Sequence, residues 1–301
     1  MFCWRKRKHV VFVLVAFLIV LVELAIKMLY GIDQDEQAIF CTMQRFINGE
    51  LWLRDLYDPF QLAALLMTPF FWFCNAICPS NPVLLFRIIG IVAMFAVALL
   101  LYRESKHYIN NDIVCILLSL CWLSITPKFI ISFDHSHLFY TFLTLFLLEI
   151  LRTINQRGSL IRIGLFFSLM VMCYPTMILL VIPLIIFVVY YGRVKGLLTF
   201  FLPCMLLVCF VIFPVLITEG INGLKHSIRM ILADGTHSLS DSIFNKISNE
   251  SKYYYKVLKF AGYYIAALVI ETVFAKILLR YKPDIMMLGS KGHSEDAQPS
   301  V

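Results

Sequence analysis

Three carboxylates lie within four residues near the start of the chain: Asp33, Asp35 and Glu36. They follow the first long apolar segment, so they lie where the chain would leave a membrane. Clustered carboxylates suit general base chemistry, because one of them can accept the proton of an attacking hydroxyl group. A solvated helix start would explain the same cluster, since acids also stabilise the N-terminus of a helix.

A second acid, Asp134, lies between two apolar runs and is followed by His135 and His137. Ionisable groups at membrane depth are costly and are commonly functional. Asp is also a favoured N-cap, so a helix that starts near His137 would account for it equally well. The two histidines could bind a metal ion, although paired histidines at a helix entrance are more often part of hydrogen-bonded structure.

The composition assigns these acids to a membrane protein. Hydrophobic residues make up 60% of the chain and charged residues 15%, against roughly 25% charged residues in soluble domains. The net charge of +7 therefore informs on which side of the membrane each loop lies, and we expect no nucleic-acid partner. The absence of a G-x-x-x-x-G-K-[ST] sequence argues against an ATP-driven pump in this chain.

The expected fold is an all-α polytopic membrane protein with about eight transmembrane helices. The apolar runs cover residues 10–30, 83–102, 113–131, 137–151, 161–174, 176–191, 197–217 and 257–279. Several prolines lie in or beside these runs, at Pro175, Pro183, Pro203 and Pro214. Such prolines predict helix breaks around a cavity, which would suit a lipid groove or a transporter.

A shorter apolar segment, Phe60–Ile77, decides the topology. If it spans the membrane, the basic loops Arg103–Lys106, Arg152–Arg162 and Arg193–Lys195 lie opposite the basic N-terminus Arg5–Lys8. If it does not span, all of these cations lie on the cytoplasmic side, as the positive-inside rule favours. We therefore expect Phe60–Ile77 to lie at the outer interface, with both termini in the cytoplasm and the protein in the plasma membrane of the cell envelope.

The chain then divides into four parts. Residues 1–217 form a transmembrane module whose first outer loop covers residues 31–82. An outer polar segment covers residues 218–256, and a last transmembrane helix covers residues 257–282. The polar residues 283–301 are expected to form a disordered cytoplasmic tail.

An ordered set of motifs runs through the first loop. It comprises Asp35-Glu36-Gln37-Ala38, Asn48-Gly49, the segment Arg54–Pro59, the apolar segment Leu65–Phe71, Phe86-Arg87 at the next span, and Asp134 in the following outer loop. This set resembles the signature of the membrane-embedded C-type (GT-C) glycosyltransferases. It is most similar to the branch of polyprenyl-phosphate-sugar-dependent mannosyl- and aminoarabinosyltransferases, over roughly residues 10–190.

The resemblance implies an enzyme that moves a sugar from a polyprenyl-phosphate donor to a glycan, lipid or protein acceptor at the outer face. It implies Asp35 as the general base, supported by Glu36 and Asp134. The candidate substrate-binding residues are Asp33, Asp55, Asp58, Arg87, Lys128, His135 and His137. Arg87 and Lys128 could contact the donor phosphate, or could extend their charged ends to the interface. A divalent ion, Mg²⁺ or Mn²⁺, is an open alternative, because some branches of the superfamily use one and others do not.

Two departures from the family pattern keep other functions open. The chain is short for this superfamily, and two acids precede Glu36 where one is expected, so Asp33 could share the role of Asp35. The rivals are a lipid or polysaccharide transporter, an envelope-assembly subunit, and a truncated inactive homologue. A transporter predicts ionisable residues deep in several spans or an internal repeat. The mid-to-late-span carboxylates are Glu23, Glu149 and Glu271, and the first two lie near span ends.

Overall fold

The computed structural model describes residues 2–58, 60–125 and 131–233 of the chain. Lys128, the last transmembrane helix at 257–282 and the tail at 283–301 lie outside these residues, as does most of the polar segment 218–256. The described part of the chain is helical, as expected. Its elements are α1 (Phe2–Leu29), α2 (Gln34–Ile47), α3 (Gln61–Ile77), α4 (Pro82–Ser105), α5 (Asp112–Ser124), α6 (His135–Ile154), α7 (Leu160–Cys173), a 3₁₀ turn (Pro175–Leu180) and α8 (Val181–Ala233).

Four helical segments are long and apolar enough to cross a membrane: Val10–Leu29, Pro82–Ser105, His135–Ile154 and Pro175–Ile231. They make this a helical membrane protein. The remaining apolar helices α3, α5 and α7 are shorter, with 10–17 residues each. Eight transmembrane helices therefore stay a prediction.

Polar side chains start the helices that flank the loops. Asp33 Oδ1 accepts a hydrogen bond from the Asp35 backbone N–H, and Asn81 Oδ1 accepts one from Leu84 N–H. Asn111 does the same for α5, and Asp134 for α6. Each oxygen satisfies an N–H group that has no partner within its own helix. The N-cap expected at Asp134 is confirmed, with α6 beginning at His135.

The 53 residues of α8 form three consecutive helices, because the backbone leaves the helical region twice. Arg193 has φ 54° and Gly220 has φ 66°. A Cβ atom on Gly196 would lie 3.3 Å from the Val188 carbonyl oxygen. Residues eight apart in a straight helix are far too distant for that contact, so the chain reverses at Arg193. The predicted polar segment beginning at residue 218 is helical as far as Ala233.

The helices have two distinct ends. At the loop end, Arg87 near the start of α4 bonds the Met28 carbonyl near the end of α1, and Ser136 in α6 shares a hydrogen bond with Tyr174 after α7. At the opposite, basic end, Arg152 in α6 bonds Glu104 in α4. The first loop and Asp134 therefore lie at one end of the helices, and the short basic loops lie at the other.

The helix α3 packs one face and leaves the other open. Ala63, Ala64, Met67, Phe71 and Cys74 are buried against α2 and α4. The other face exposes a second apolar set: Phe70, Trp72, Phe73 and Ile77. Both faces are apolar, and the helix is only 17 residues long. The interfacial position expected for this segment stays a prediction, because interfacial helices usually have one polar face.

Candidate functional site

The first acidic cluster forms the start of α2. Asp33 is exposed and caps the helix, while Asp35 is half-buried in the first turn. Glu36, the next residue, is only 1% exposed. Three neighbouring acids thus occupy three different environments, which sequence alone could not separate. Asp35 is the acid of this cluster whose side chain is neither fully exposed nor fully buried.

Glu36 forms a bidentate ion pair with Arg87 of α4. Arg87 Nε lies 2.8 Å from Glu36 Oε1, and Nη2 lies 2.5 Å from Oε2. Both side chains are buried, with 8% and 1% of their surfaces exposed. Paired parallel N–H···O bonds of this kind are among the strongest in proteins. Both carboxylate oxygens of Glu36 are therefore engaged within the protein.

The remaining N–H groups of Arg87 are directed to the end of α1. Nη1 donates to the carbonyl oxygens of Met28 and Tyr30 at 2.9 and 2.8 Å, and Nη2 donates to Gly31 at 3.2 Å. A guanidinium group has five N–H donors, and all five are used here. The carbonyls at a helix C-terminus have no partner in their own helix, so Arg87 satisfies them. A contact between Arg87 and a donor phosphate would require one of these bonds to be exchanged.

Asp134 belongs to the same region of the molecule. Its side chain is fully buried, and Oδ1 accepts the His137 N–H at 2.7 Å. The preceding segment packs closely on α4, since a Cβ atom on Gly90 would lie 3.0 Å from the Ile131 carbonyl oxygen. Gly90 is one helical turn beyond Arg87. The helix α4 therefore supports both the Glu36 pair and the segment that carries Asp134.

A shared core joins the two acidic loops. Ile39 and Phe40 of α2 lie in one hydrophobic cluster with Phe133 and Leu138, which flank Asp134. The Phe40 ring also contacts Phe86 edge-on, with centroids 5.7 Å apart. Asp35 and Asp134 are therefore carried by elements that pack on each other, and their predicted catalytic roles stay a prediction.

An aromatic group lies beside Asp134 at the loop end, and it consists of Phe60, His135 and Tyr174. The His135 ring stacks on Phe60 with centroids 4.2 Å apart, and Tyr174 contacts both rings at 5.4–5.5 Å. The Tyr174 hydroxyl shares a 3.0 Å hydrogen bond with Ser136. These rings join the starts of α3 and α6 to the end of α7. His135 therefore makes ring contacts at the boundary between the first loop and the helices.

His137 points into the interior and is only 1% exposed. Its ring lies against the backbone of Ile131 and Ser132, but neither nitrogen reaches hydrogen-bond geometry with a described residue. Thr141 Oγ1, one turn further along α6, and Ser132 Oγ also have no described partner. Buried polar groups are normally hydrogen-bonded, so this polar cluster is an unusual feature of the core.

Asp55 and Asp58 organise the first loop. Asp55 accepts the Leu51 N–H at 2.8 Å and pairs with Arg54 at 2.6 Å. The hydrogen bond from Arg54 holds the pKa of Asp55 below its usual value, aided by the Leu51 N–H. Asp58 accepts the Phe60 N–H at 2.7 Å, ahead of α3. Both acids make turn contacts in this structure, and their predicted role in substrate binding stays a prediction.

An apolar groove of about 320 Å³ lies between α7, the 3₁₀ turn and the last two helices of α8. Its walls include Leu53, Leu62, Met172, Pro175, Val211 and Ile228. Leu62 follows Phe60 by two residues and Pro175 follows Tyr174, so two of the lining residues belong to the same segments as the aromatic group. The prolines had indicated a cavity, and Pro175 lines one. Its walls come from segments more than 150 residues apart, which no local pattern could reveal.

The first loop is attached to a wall of this groove. Trp52 Nε1 donates to the Val211 carbonyl oxygen at 2.8 Å, and its ring stacks on Phe210 with centroids 6.2 Å apart. Leu53 lines the groove directly. The loop that carries the acidic motifs therefore forms one edge of the apolar groove.

Within residues 10–58, 60–125 and 131–233, no three His, Cys, Asp or Glu side chains gather in a way that could hold a metal ion. A divalent ion stays a prediction. No family model, curated protein or solved structure matches the chain.

Proposed function

We propose that this chain is a membrane glycosyltransferase that moves a sugar from a polyprenyl-phosphate donor to a hydroxyl group of an acceptor at the outer face of the membrane. The observation that carries the proposal is the apolar groove, one edge of which is formed by Leu53 of the loop that carries the acidic motifs. A polyprenyl phosphate has a long hydrocarbon chain and a charged head. A donor of this kind needs an apolar groove next to a polar site.

The groove supports the proposal through its position. Leu62 and Pro175 line it, and they lie close in the chain to Phe60 and Tyr174, whose rings contact each other. A chain bound in the groove would bring its phosphate and sugar to the aromatic group and Asp134. Aromatic rings at such a boundary can contact the apolar face of a sugar while their polar edges remain hydrated.

The proposed reaction requires a general base. The acceptor hydroxyl gives its proton to a carboxylate as its oxygen forms a bond to the anomeric carbon of the donor sugar. The bond between that carbon and the phosphate oxygen breaks, and the electron pair leaves with polyprenyl phosphate. We assign the base to Asp35, the acid that the family resemblance gives this role and whose side chain is half-buried at the loop end.

The other residues have supporting roles in this proposal. Asp134 caps α6 and thereby fixes His135 in the aromatic group. Arg87 and Glu36 are positioning residues that hold the start of α2 on α4. A cation at the leaving phosphate would lower the barrier by stabilising its developing charge. Lys128, which lies outside the described residues, remains the candidate for that cation.

The test compares acid variants in proteoliposomes that contain the full chain and a labelled polyprenyl-phosphate mannose or aminoarabinose. We expect Asp35→Asn to lower the rate of sugar transfer by about 100-fold or more, the usual contribution of a general base. Asp134→Asn should also abolish transfer while membrane insertion is retained. The matched control is Asp112→Asn, an exposed acid at the basic end. Full activity in both variants would overturn the mechanism.

A lipid-binding protein without catalytic activity is the second candidate. The apolar groove could hold a lipid in either kind of protein. In addition, the ion pair with Arg87 leaves Glu36, one of the three first-loop acids, unsuited to act as a general base. This function predicts that polyprenyl phosphate binds the wild-type protein and both acid variants equally, with no sugar transferred by any of them.

A further inference from the structure

A basic patch lies at the end of the molecule opposite the acidic loops. It consists of Arg157, Arg162, Arg193 and Lys195, all of which are exposed. Arg157 precedes α7, and Arg162 lies in its first turn. Arg193 lies at the first chain reversal in α8, and Lys195 follows it by two residues. The patch is remote from the proposed site and independent of the proposed function.

Close packing brings the two halves of the patch together. A Cβ atom on Gly192 would lie 2.3 Å from Leu160 Cδ1, and one on Gly196 would lie 2.8 Å from the same atom. Only glycine fits at such distances without displacing the leucine. The reversal at Arg193 is therefore seated against Leu160, with Arg193 and Lys195 beside the start of α7.

The carboxylates at this end are already neutralised. Arg152 contacts Glu104 at 2.6 Å and Glu149 at 3.2 Å, while Arg162 contacts Glu149 at 2.9 Å. A further acid at this end, Asp112, pairs with Lys106 at 3.0 Å.

This pairing leaves a surplus of positive charge. Within the described part of the chain, Arg157, Arg193 and Lys195 form no ion pair with a carboxylate. Three exposed cations therefore remain outside the ion pairs at this end of the molecule.

The neighbours of these cations are apolar and open. Tyr190 is 79% exposed, Val194 is 73% exposed and Leu198 is 78% exposed. Hydrocarbon side chains next to cations and tyrosines are typical of the membrane interface, where the acyl chains meet the lipid headgroups. An acidic soluble protein would leave these apolar side chains uncovered, whereas a lipid would satisfy both parts of the surface.

We propose that the basic patch binds the phosphate headgroup of an anionic phospholipid, with the acyl chains lying along Val194 and Leu198. Arg157, Arg193 and Lys195 supply the charge, and Arg162 serves mainly to close the Glu149 pair. Basic clusters at a membrane surface attract anionic lipids through this combination of charge and apolar contact.

The test measures the lipid preference of the purified full chain in detergent by native mass spectrometry, with phosphatidylglycerol and phosphatidylcholine in competition. We expect the wild-type protein to retain phosphatidylglycerol at least about tenfold better, as surface cations predict. The variant Arg157→Gln/Arg193→Gln/Lys195→Gln should lose this preference. Arg162 is left unchanged because it pairs with a buried acid. A triple variant that keeps the preference, or a wild-type protein without one, would overturn the proposal.

Two controls make the result specific. Arg103→Gln/Lys225→Gln/Arg229→Gln removes the same charge from other exposed positions and should leave the preference intact. Inorganic phosphate at the lipid concentration should not displace phosphatidylglycerol, and displacement would show a free-anion site instead. If the triple variant does not fold, Lys195→Gln alone should still reduce the preference measurably, and an unchanged value would refute the site.

Discussion

Arg87 contacts both carboxylate oxygens of Glu36, although the two residues lie 51 positions apart in the chain. The same guanidinium group bonds three carbonyl oxygens at the end of α1. One buried side chain thus connects α1, α2 and α4 at the loop end. The arrangement leads to several measurable consequences for stability and activity.

Replacing Arg87 with Ala should destabilise the protein strongly, because Glu36 would be left as an unpaired buried charge. Removal of one partner of a buried ion pair typically costs about 3–5 kcal/mol. Thermal unfolding of the detergent-solubilised protein measures the loss. Arg103→Ala, an exposed arginine of the same helix, is the control and should have little effect. Equal unfolding temperatures for the two variants would contradict the connecting role of Arg87.

Asp35 and Glu36 should differ in what their amide variants change. Asp35→Asn should lower sugar transfer and lower the unfolding temperature much less than Glu36→Gln, because an acid in the first turn of a helix contributes only about 0.3–1 kcal/mol. Glu36→Gln should lower both, since it removes the charge that Arg87 requires. The two quantities are compared on the same preparations. A loss of stability in Asp35→Asn as large as that in Glu36→Gln would assign the acid to structure instead of chemistry.

A large side chain in the groove should weaken the use of long-chain donors. Val211→Trp would fill part of the groove and raise the KM for a long polyprenyl donor more than for a short one. Ile186→Trp is the control, because Ile186 lies on an exposed helical face outside the groove. Equal KM changes for both chain lengths would show that the groove does not bind the hydrocarbon chain.

Gly164 holds α7 against α8. A Cβ atom there would lie 2.0 Å from the Phe200 carbonyl oxygen, so Gly164→Ala must push the two helices apart. Overpacking of this kind typically costs about 1–3 kcal/mol. Gly31→Ala, at a position with nothing within 4 Å, is the matched control. Thermal unfolding distinguishes them, and an unaffected Gly164→Ala would mean that the packing is looser than described.

The hydroxyl of Thr141 should reduce stability, since it is buried and has no described partner. Thr141→Val should therefore raise the free energy of unfolding by about 1 kcal/mol, the lower range for an unsatisfied buried group. Thr144→Val should lower it, because Thr144 Oγ1 accepts the Trp122 indole N–H at 2.8 Å. A loss of stability in both variants would reveal a partner for Thr141, such as an ordered water molecule.

Local patterns predicted the helices and their caps but not the contacts between them. The Asp134 cap depends on a polar residue directly before an apolar run, which is a local pattern that can be recognised in the sequence. The break near Arg193 was also visible, since cations interrupt two apolar runs there. By contrast, the Glu36–Arg87 pair joins residues in different helices, and the sequence predicted Glu36 as a catalytic residue and Arg87 as a substrate contact. Only the three-dimensional structure shows that these two charged side chains form an ion pair with each other.

The part of α8 beyond its second break, at Gly220, lies within the polar segment 218–256. This segment contains charged groups, and its apolar residues Leu224, Ile228 and Ile231 recur at helical spacing. Two of them, Leu224 and Ile231, pack on the cluster that contains Val211 and Val215. Tertiary packing therefore stabilises a helix whose average composition is polar.

Trp52 bonds the Val211 carbonyl and stacks on Phe210, so it joins the acidic loop to a wall of the groove. A ligand that moves this wall must also move the loop or break the indole contact. Occupation of the groove and order in the loop are therefore linked equilibria, and each must influence the other by the same free energy. In a variant that keeps Trp52 as its one tryptophan of the four, intrinsic fluorescence would thus report on lipid binding without any added label.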